Sequence, residues 1–186
     1  MQLTYVRFWC LGLAVWALDQ VTKSWAVRFR DGPEKQMDVF DWDGFLSLNF
    51  THVTNPGASF SMFSDYPGIL TCLAMVALLC IWFFRQALEM DRLHLQLVFG
   101  AICGGIAGNL TDRLFRGGAV VDFIDFTFYF LPASNGFWAG LRNFPVFNLA
   151  DSAIFVGVVF YLLFGFLDAR GNQEEVAPND ARAEEV

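Results

Sequence analysis

Residues 104–126 read GGIAGNLTDRLFRGGAVVDFIDF, and this stretch passes from a glycine-rich apolar segment into a dense group of polar and ionisable residues. The group consists of Asn109, Asp112, Arg113, Asp122 and Asp125. Further along, residues 147–151 read FNLAD, so another Asn and another Asp open another apolar run. A carboxylate in apolar surroundings must be partnered or protonated. Two carboxylates brought together at the end of a hydrophobic bundle would therefore form an acid–base pair.

The composition is that of an integral membrane protein. Of 186 residues, 55% are hydrophobic, 17% are aromatic and only 17% are charged. The net charge of -7 argues against nucleic-acid binding, which requires a clustered basic surface. The four cysteines all lie inside apolar runs, so we interpret them as small buried hydrophobic residues rather than as disulfides or zinc ligands.

Four apolar segments predict membrane-spanning helices, at about residues 8–27, 66–84, 93–111 and 146–167. At a rise of about 1.5 Å per residue, segments of this length cross a hydrocarbon core of roughly 30 Å. In the third segment Gly100, Gly104 and Gly108 recur every four residues, which predicts close packing against a neighbouring helix. The helical membrane domain would occupy residues 1–168, and the acidic tail at 169–186 is expected to be disordered.

The two longer polar segments, at about residues 28–65 and 115–145, have predicted structure of their own. In the first, Leu46, Leu48 and Phe50 alternate with polar residues, and Asp43-Gly44 separates them from residues 37–42, which predicts a β-hairpin on the membrane surface. In the second, residues 127–145 are rich in aromatic side chains and predict an interfacial loop or half-helix.

Four spans would put both termini on one side of the membrane and both polar segments on the other. Five Lys and Arg residues lie on the terminal side and seven on the opposite side. By the positive-inside rule this distribution leaves the orientation open.

These polar residues can also be explained without a catalytic role. Asp19 and Lys23, four residues apart, would form an ion pair that only packs the first helix. Asn148 with Asp151 resembles a helix capping box. These interpretations would suit a membrane scaffold, and a small transporter is a second rival class, although its ionisable groups should lie near the bilayer midplane.

Four motifs follow one another along the chain. They are DQVTK at residues 19–23, NPGASF at 55–60, GIAGNLTDR at 105–113 with VDF at 121–123, and FNLAD at 147–151. As a set, these motifs resemble those of the bacterial lipoprotein signal peptidases, the signal peptidase II family. Two features depart from the family pattern: Ser59 stands where the family often has alanine, and the loop at 127–145 is long.

The resemblance implies an all-α membrane bundle of four transmembrane helices with a small extracytoplasmic β-sheet, or cradle. It would lie in the bacterial inner membrane with cytoplasmic termini and an active site near the periplasmic face. The implied enzyme is an aspartic endopeptidase that needs no metal or cofactor. It would cut diacylglyceryl-modified prolipoproteins immediately before the modified cysteine. We expect membrane lipids and these substrates as partners, and a monomer.

The resemblance also implies roles for individual residues. The catalytic pair would be Asp122 and Asp151, with Asp125 as a rival for Asp122. The residues expected to bind substrate or support the site are Asn55, Gly57, Asn109, Asp112, Arg113, Asn148, Asp19 and Lys23.

Overall fold

The structure, a computed structural model, describes residues 5–31, 36–57, 66–133 and 136–183. It consists of helices and one three-stranded sheet. In chain order the elements are α1 (Val6–Ala26), α2 (Arg28–Asp31), β1 (Gln36–Trp42), β2 (Leu46–Asn55), α3 (Pro67–Phe83), α4 (Leu93–Phe115), β3 (Val120–Phe128), α5 (Phe137–Arg142) and α6 (Leu149–Ala183).

Helices α1, α3, α4 and α6 form at the four predicted apolar segments. Among the described residues, two stretches are long and apolar enough to cross a membrane by length and composition, Leu93–Phe115 and Leu149–Arg170. Helix α3 is apolar but shorter, and α1 carries the buried charges of Asp19 and Lys23. The helical bundle is confirmed, while membrane crossing by all four helices stays a prediction.

Helix α4 lies at the centre of the bundle and packs against α1, α3 and α6. Its glycines permit backbone contact on two sides. A Cβ atom at Gly104 would lie 2.6 Å from the Gly12 carbonyl oxygen of α1, and one at Gly105 would lie 2.5 Å from the Ala150 carbonyl oxygen of α6. The glycines therefore let α1 and α6 approach α4 closely, as the predicted close packing requires.

We expect Gly105→Ala to lower the melting temperature of the purified protein. The added methyl group would meet backbone rather than a flexible side chain, so α4 and α6 would have to move apart, at a cost of about 1–3 kcal/mol. Gly165→Ala in α6 is the matched control, because no atom lies within 4 Å of its added Cβ. Equal melting temperatures for the two variants would contradict this account of the packing.

The sheet has the order β1-β2-β3 with both pairs antiparallel. The predicted hairpin is confirmed, and Asp43 and Gly44 form its turn with φ angles of 43° and 71°. Positive φ at both central residues matches the twist that joins two antiparallel strands. The sequence analysis missed β3, which lies within the segment predicted at residues 115–145. Helix α5 occupies part of the region expected to be a loop or half-helix.

Helix α6 extends into the acidic tail. Disorder is predicted from residue 169, and in the structure α6 continues to Ala183. That expectation rested on low hydrophobicity, which removes the drive to pack against a core. Local helix propensity does not depend on a core, and Gln173, Glu174 and Glu175 are residues that favour helix.

Candidate active site

Asp122 lies in β3 and is only 3% exposed. The Nδ2 atom of Asn148 donates to its Oδ1 at 2.7 Å, and Nδ2 of Asn55 donates to its Oδ2 at 3.2 Å. Pairing of β3 with the end of β2 places Asn55 opposite Val120 and so beside this carboxylate. Both oxygens of Asp122 are therefore held by side-chain amides.

Asp151 lies in the first turn of α6. Nδ2 of Asn109 donates to its Oδ1 at 2.7 Å, and the backbone N–H of Asn148 donates to its Oδ2 at 3.2 Å. In return, the backbone N–H of Asp151 donates to Oδ1 of Asn148 at 2.9 Å. This reciprocal pair is the predicted capping arrangement, so Asp151 caps its helix and faces Asn109 at the same time.

Asn148 connects the two carboxylates. It is fully buried, its Nδ2 donates to Asp122, and both its backbone N–H and its Oδ1 engage Asp151. Its position is set by the preceding residue, because the carbonyl oxygen of Phe147 accepts the N–H groups of Phe123 and Ile124. The start of α6 is thereby joined to β3 where the two acids meet.

The environment of Asp122 favours its protonated form. Burial and the charge of Asp151 together raise the pKa of Asp122 from 3.8 to about 7, against the opposing hydrogen bonds from Asn55 and Asn148. Burial also raises the pKa of Asp125. Asp125, however, is only half-buried and is paired with Asn49 of β2, whereas Asp122 is paired with Val53 and bonded to Asn55.

A buried charge cluster lies beside the carboxylate pair. Nζ of Lys23 lies 2.9 Å from Oδ2 of Asp19 and 3.0 Å from Oδ2 of Asp112, and all three side chains are fully buried. Arg116 adds a second cation, with Nη1 at 3.0 Å from Oδ1 of Asp112. Two anions thus face two cations.

The anions of this cluster hold the backbone next to each catalytic candidate. The N–H of Val121, directly before Asp122, donates to Oδ2 of Asp112 at 3.0 Å. The N–H of Ala150, directly before Asp151, donates to Oδ1 of Asp19 at 3.0 Å. The cluster therefore positions both acids through the backbone.

Lys23 also determines which way the Asn109 amide points. Its ammonium group donates to Oδ1 of Asn109 at 2.8 Å, and an ammonium group has no acceptor. The amide oxygen must therefore face Lys23, which directs Nδ2 toward Asp151. Lys23 thereby makes Asn109 a donor to Asp151.

Arg113 holds the loop that follows β2. Its Nη2 donates to the Gly57 carbonyl oxygen at 3.1 Å, and Oδ1 of Asn55 accepts the Gly57 N–H at 3.0 Å. The guanidinium also lies close enough to Asp151 and Asp122 to interact with their charges. Its buried Nε has no hydrogen-bond partner among the described residues. Ser59 lies outside the described residues.

The structure brings together all ten predicted site residues, and it adds two that the sequence analysis missed. Arg116 is one, and its spacing of four residues from Asp112 on a helix was an available signal. Gln20 is the other, with Nε2 donating to Asp19, Asp112 and the Gly108 carbonyl oxygen. Among the described residues, no three His, Cys, Asp or Glu side chains are arranged to hold a metal ion.

Two solved structures share this fold. Both are described as bacterial membrane enzymes determined by the in meso method. One aligns with a TM-score of 0.66 and 26% sequence identity over 88% of this chain and 88% of that chain. The other aligns with a TM-score of 0.62 and 26% sequence identity over 85% of this chain and 90% of that chain. The fold is therefore one that bacterial membrane enzymes have.

Sequence comparison identifies the family. The family model for signal peptidase (SPase) II, Peptidase_A8, matches residues 11–167. The lipoprotein signal peptidase of Shewanella oneidensis is 33% identical over 91% of this chain and 92% of its own length. That of Shewanella baltica is 34% identical over 91% of each. The chain belongs to the signal peptidase II family.

Proposed function

We propose that the chain is an aspartic endopeptidase that removes the signal peptide from diacylglyceryl-modified prolipoproteins, cutting immediately before the modified cysteine. The observation that carries this proposal is the pair Asp122 and Asp151, joined by Asn148 and supported by separate amide donors. The names of the relatives support the substrate class. Residues 1–168 would form the peptidase domain.

The environments of the two carboxylates suggest their roles. Asp122 is mostly protonated below about pH 7, since burial and the charge of Asp151 raise its pKa to about 7. Asp151 lies in the first turn of α6 and accepts hydrogen bonds from Nδ2 of Asn109 and from the backbone N–H of Asn148, an arrangement that suits a proton acceptor. Asp122 is then the acid and Asp151 the base at the start of the reaction.

Peptide hydrolysis follows from these protonation states. Asp151 takes a proton from water as the water oxygen bonds to the scissile carbonyl carbon, and Asp122 gives its proton to the carbonyl oxygen. In the second step Asp151 returns its proton to the leaving nitrogen, the C–N bond breaks, and Asp122 recovers a proton from the tetrahedral intermediate. The products are a carboxylic acid and the free α-amino group of the modified cysteine, and both aspartates regain their starting states.

The location of the site within the bundle suits this function better than transport. Asp112 and Lys23 lie near the ends of α4 and α1, and Asp151 lies at the start of α6. All three therefore gather at one end of the helices, while a transport site is expected near the midplane. We propose that this end faces the periplasm, with both termini of a monomeric enzyme in the cytoplasm of a bacterium and the diacylglyceryl group reaching the site from the bilayer.

A cleavage assay tests the function. Purified protein in detergent is incubated with a diacylglyceryl-modified prolipoprotein and with the same prolipoprotein lacking the lipid. Mass spectrometry of the product should show a new N-terminus at the modified cysteine, and little product from the unmodified chain. No cleavage of the modified substrate by folded protein would contradict the proposal.

The pH dependence tests the acid role of Asp122. The value of kcat/KM should fall as the pH rises through about 7, because Asp122 then loses the proton that it must donate.

The stability of the folded protein should also fall as the pH rises. With its folded-state pKa raised above 3.8, Asp122 makes the folded state bind more protons than the unfolded state between about pH 4 and 7, so stability falls across that range. Asp122→Asn should flatten this fall in melting temperature, and an unchanged slope would contradict the assignment.

A further inference from the structure

An open cleft lies at the end of the helical bundle that is remote from the active site. Its volume is about 400 Å³, and it lies between the link from α3 to α4, the first turn of α4 and the later part of α6. Helix α6 carries Asp151 at the active site and Asp168 at the cleft, which are about 26 Å apart at a rise of about 1.5 Å per residue. That separation is close to the thickness of a hydrocarbon core, roughly 30 Å. The cleft and the active site would therefore lie at opposite surfaces of the bilayer.

The cleft lies at the level of the lipid head groups. The apolar run of α6 ends at Leu167, and Asp168 follows it directly. At the same end of the bundle, the ring of Trp82 contacts the rings of Tyr5 and Trp9, and such aromatic groups are typical of the membrane–water interface. A molecule in the cleft would therefore reach from the hydrocarbon core into the head-group region.

The wall of the cleft is apolar. It is formed by Leu88, Leu95, Leu162, Phe164 and Phe166. Leu162 is 64% exposed and Phe166 is 63% exposed, so both can contact a molecule that lies outside the protein. A wall of this composition suits an acyl chain.

The mouth of the cleft carries a net negative charge. Glu89 and Asp168 line the cleft, and Arg92 lies between them, with Nη2 3.1 Å from Oε2 of Glu89 and Nη1 2.8 Å from Oδ2 of Asp168. All three side chains are about half-exposed, so they remain accessible to a ligand. Two carboxylates against one guanidinium attract a cationic group and repel an anion that has no cation of its own.

The backbone at Glu89 adds a second reason to assign a role to its carboxylate. The N–H of Met90 donates to the Arg85 carbonyl oxygen at 3.0 Å, and the N–H of Glu89 donates to that of Gln86 at 3.0 Å. These two bonds form a Schellman motif, in which the left-handed position is usually glycine. Here that position is Glu89, with a φ angle of 49°. Folding alone would favour glycine, which points to a separate use for the glutamate side chain.

We propose that this cleft binds one phospholipid whose zwitterionic head group carries a free ammonium, phosphatidylethanolamine. An acyl chain would lie along Leu162 and Phe166, and the ammonium group would donate to the carboxylates of Glu89 and Asp168. The phosphate would then lie beside Arg92, which offsets its charge. The head group would thereby join the link between α3 and α4 to the end of α6. This binding does not depend on the peptidase function, and its test needs no substrate.

Native mass spectrometry of the full chain in detergent tests the lipid preference. The protein is titrated with phosphatidylethanolamine, phosphatidylcholine and phosphatidylglycerol that have identical acyl chains. The choline nitrogen keeps the positive charge but has no N–H group, and phosphatidylglycerol has no cation. We expect the first phosphatidylethanolamine to bind about five-fold more tightly than phosphatidylcholine, as one half-exposed charged contact would give. Phosphatidylglycerol should bind more weakly than either.

Variants of the acidic residues locate the site. Glu89→Gln combined with Asp168→Asn should remove the preference for phosphatidylethanolamine. Asp91→Asn is the matched control, because Asp91 is an exposed acid on the same link but does not line the cleft, and it should keep the preference. Glu89→Gly should raise the melting temperature, since glycine favours the backbone conformation at this position, and should still weaken the preference. Loss of binding is thereby separated from loss of folding.

Three results would overturn the proposal. Equal affinities for phosphatidylethanolamine and phosphatidylcholine would show that the ammonium group is not recognised. Tighter binding of phosphatidylglycerol would show that Arg92 dominates and that the site takes anions. A preference that is lost in Asp91→Asn as much as in the double variant would show a general effect of surface charge and not a site at the cleft.

Discussion

Asp122→Asn and Asp151→Asn are each expected to lower kcat/KM for the diacylglyceryl prolipoprotein by about 10³-fold, with folding retained. Each substitution keeps the size of the side chain but removes a group that exchanges protons with water or substrate. Either carboxylate alone lacks the partner that completes the proton transfers. Initial rates at substrate concentrations well below KM, measured with matched amounts of folded enzyme, give the comparison.

Asp125→Asn is the matched control for this prediction. It lies on the same strand as Asp122 and is also an acid, but it is paired with Asn49 of β2, whereas Asp122 is held by Asn55 and Asn148. We expect it to retain close to wild-type activity. If both Asp122→Asn and Asp151→Asn cut normally, these two aspartates only cap and pair, and the catalytic groups lie elsewhere, with Asp125 and Asp112 as the next candidates. If Asp125→Asn is the inactive variant, the acid has been misassigned.

Lys23→Met is expected to lower the free energy of unfolding by about 3–5 kcal/mol, the usual cost of leaving buried charges without their partner. The variant would leave Asp19 without a cation and Asp112 with Arg116 alone, in a fully buried setting. Thermal unfolding in detergent gives the comparison. Arg92→Met is the control, since its ion pairs with Glu89 and Asp168 are about half-exposed and such pairs contribute at most about 1 kcal/mol.

A compensating variant separates charge from packing in this cluster. Lys23→Met combined with Asp19→Asn removes one charge of each sign and leaves Asp112 paired with Arg116. The amide oxygen at residue 19 would still accept the N–H of Ala150. The double variant should therefore recover much of the stability lost in Lys23→Met. A double variant less stable than the single one would show that the lysine matters for its packing and not for its charge.

The double variant should still cleave slowly. Without the ammonium group, the oxygen of Asn109 loses the donor at 2.8 Å and keeps only Nδ2 of Asn148 at 3.2 Å, so Nδ2 of Asn109 is held less firmly toward Asp151. Stability and activity should then separate, with the melting temperature recovering and kcat/KM remaining low. Recovery of both would contradict the orienting role of Lys23.

The local parts of this protein could be predicted from the sequence. The composition and length of the apolar segments predict the four helices, and the spacing of the glycines predicts the close packing of α4. The alternation of apolar and polar residues, with Asp43-Gly44 at the turn, predicts the β1–β2 hairpin. The cap at Asn148 and Asp151 also involves only neighbouring residues. Hydrophobic periodicity and turn chemistry act over a few residues, so they are visible in the chain itself.

The assembly of the site was decided only by the tertiary structure. Strand β3 was missed because it pairs with β2, about 70 residues earlier in the chain, and an edge partner at that distance leaves no local signal. The sequence placed Arg113 only among the residues that support the site, and only the fold showed that it reaches Gly57 while Lys23 and Arg116 neutralise Asp112. The motifs indicate which side chains form the site. Burial determines the charges of these side chains, and the contacts between distant segments determine which atoms face one another.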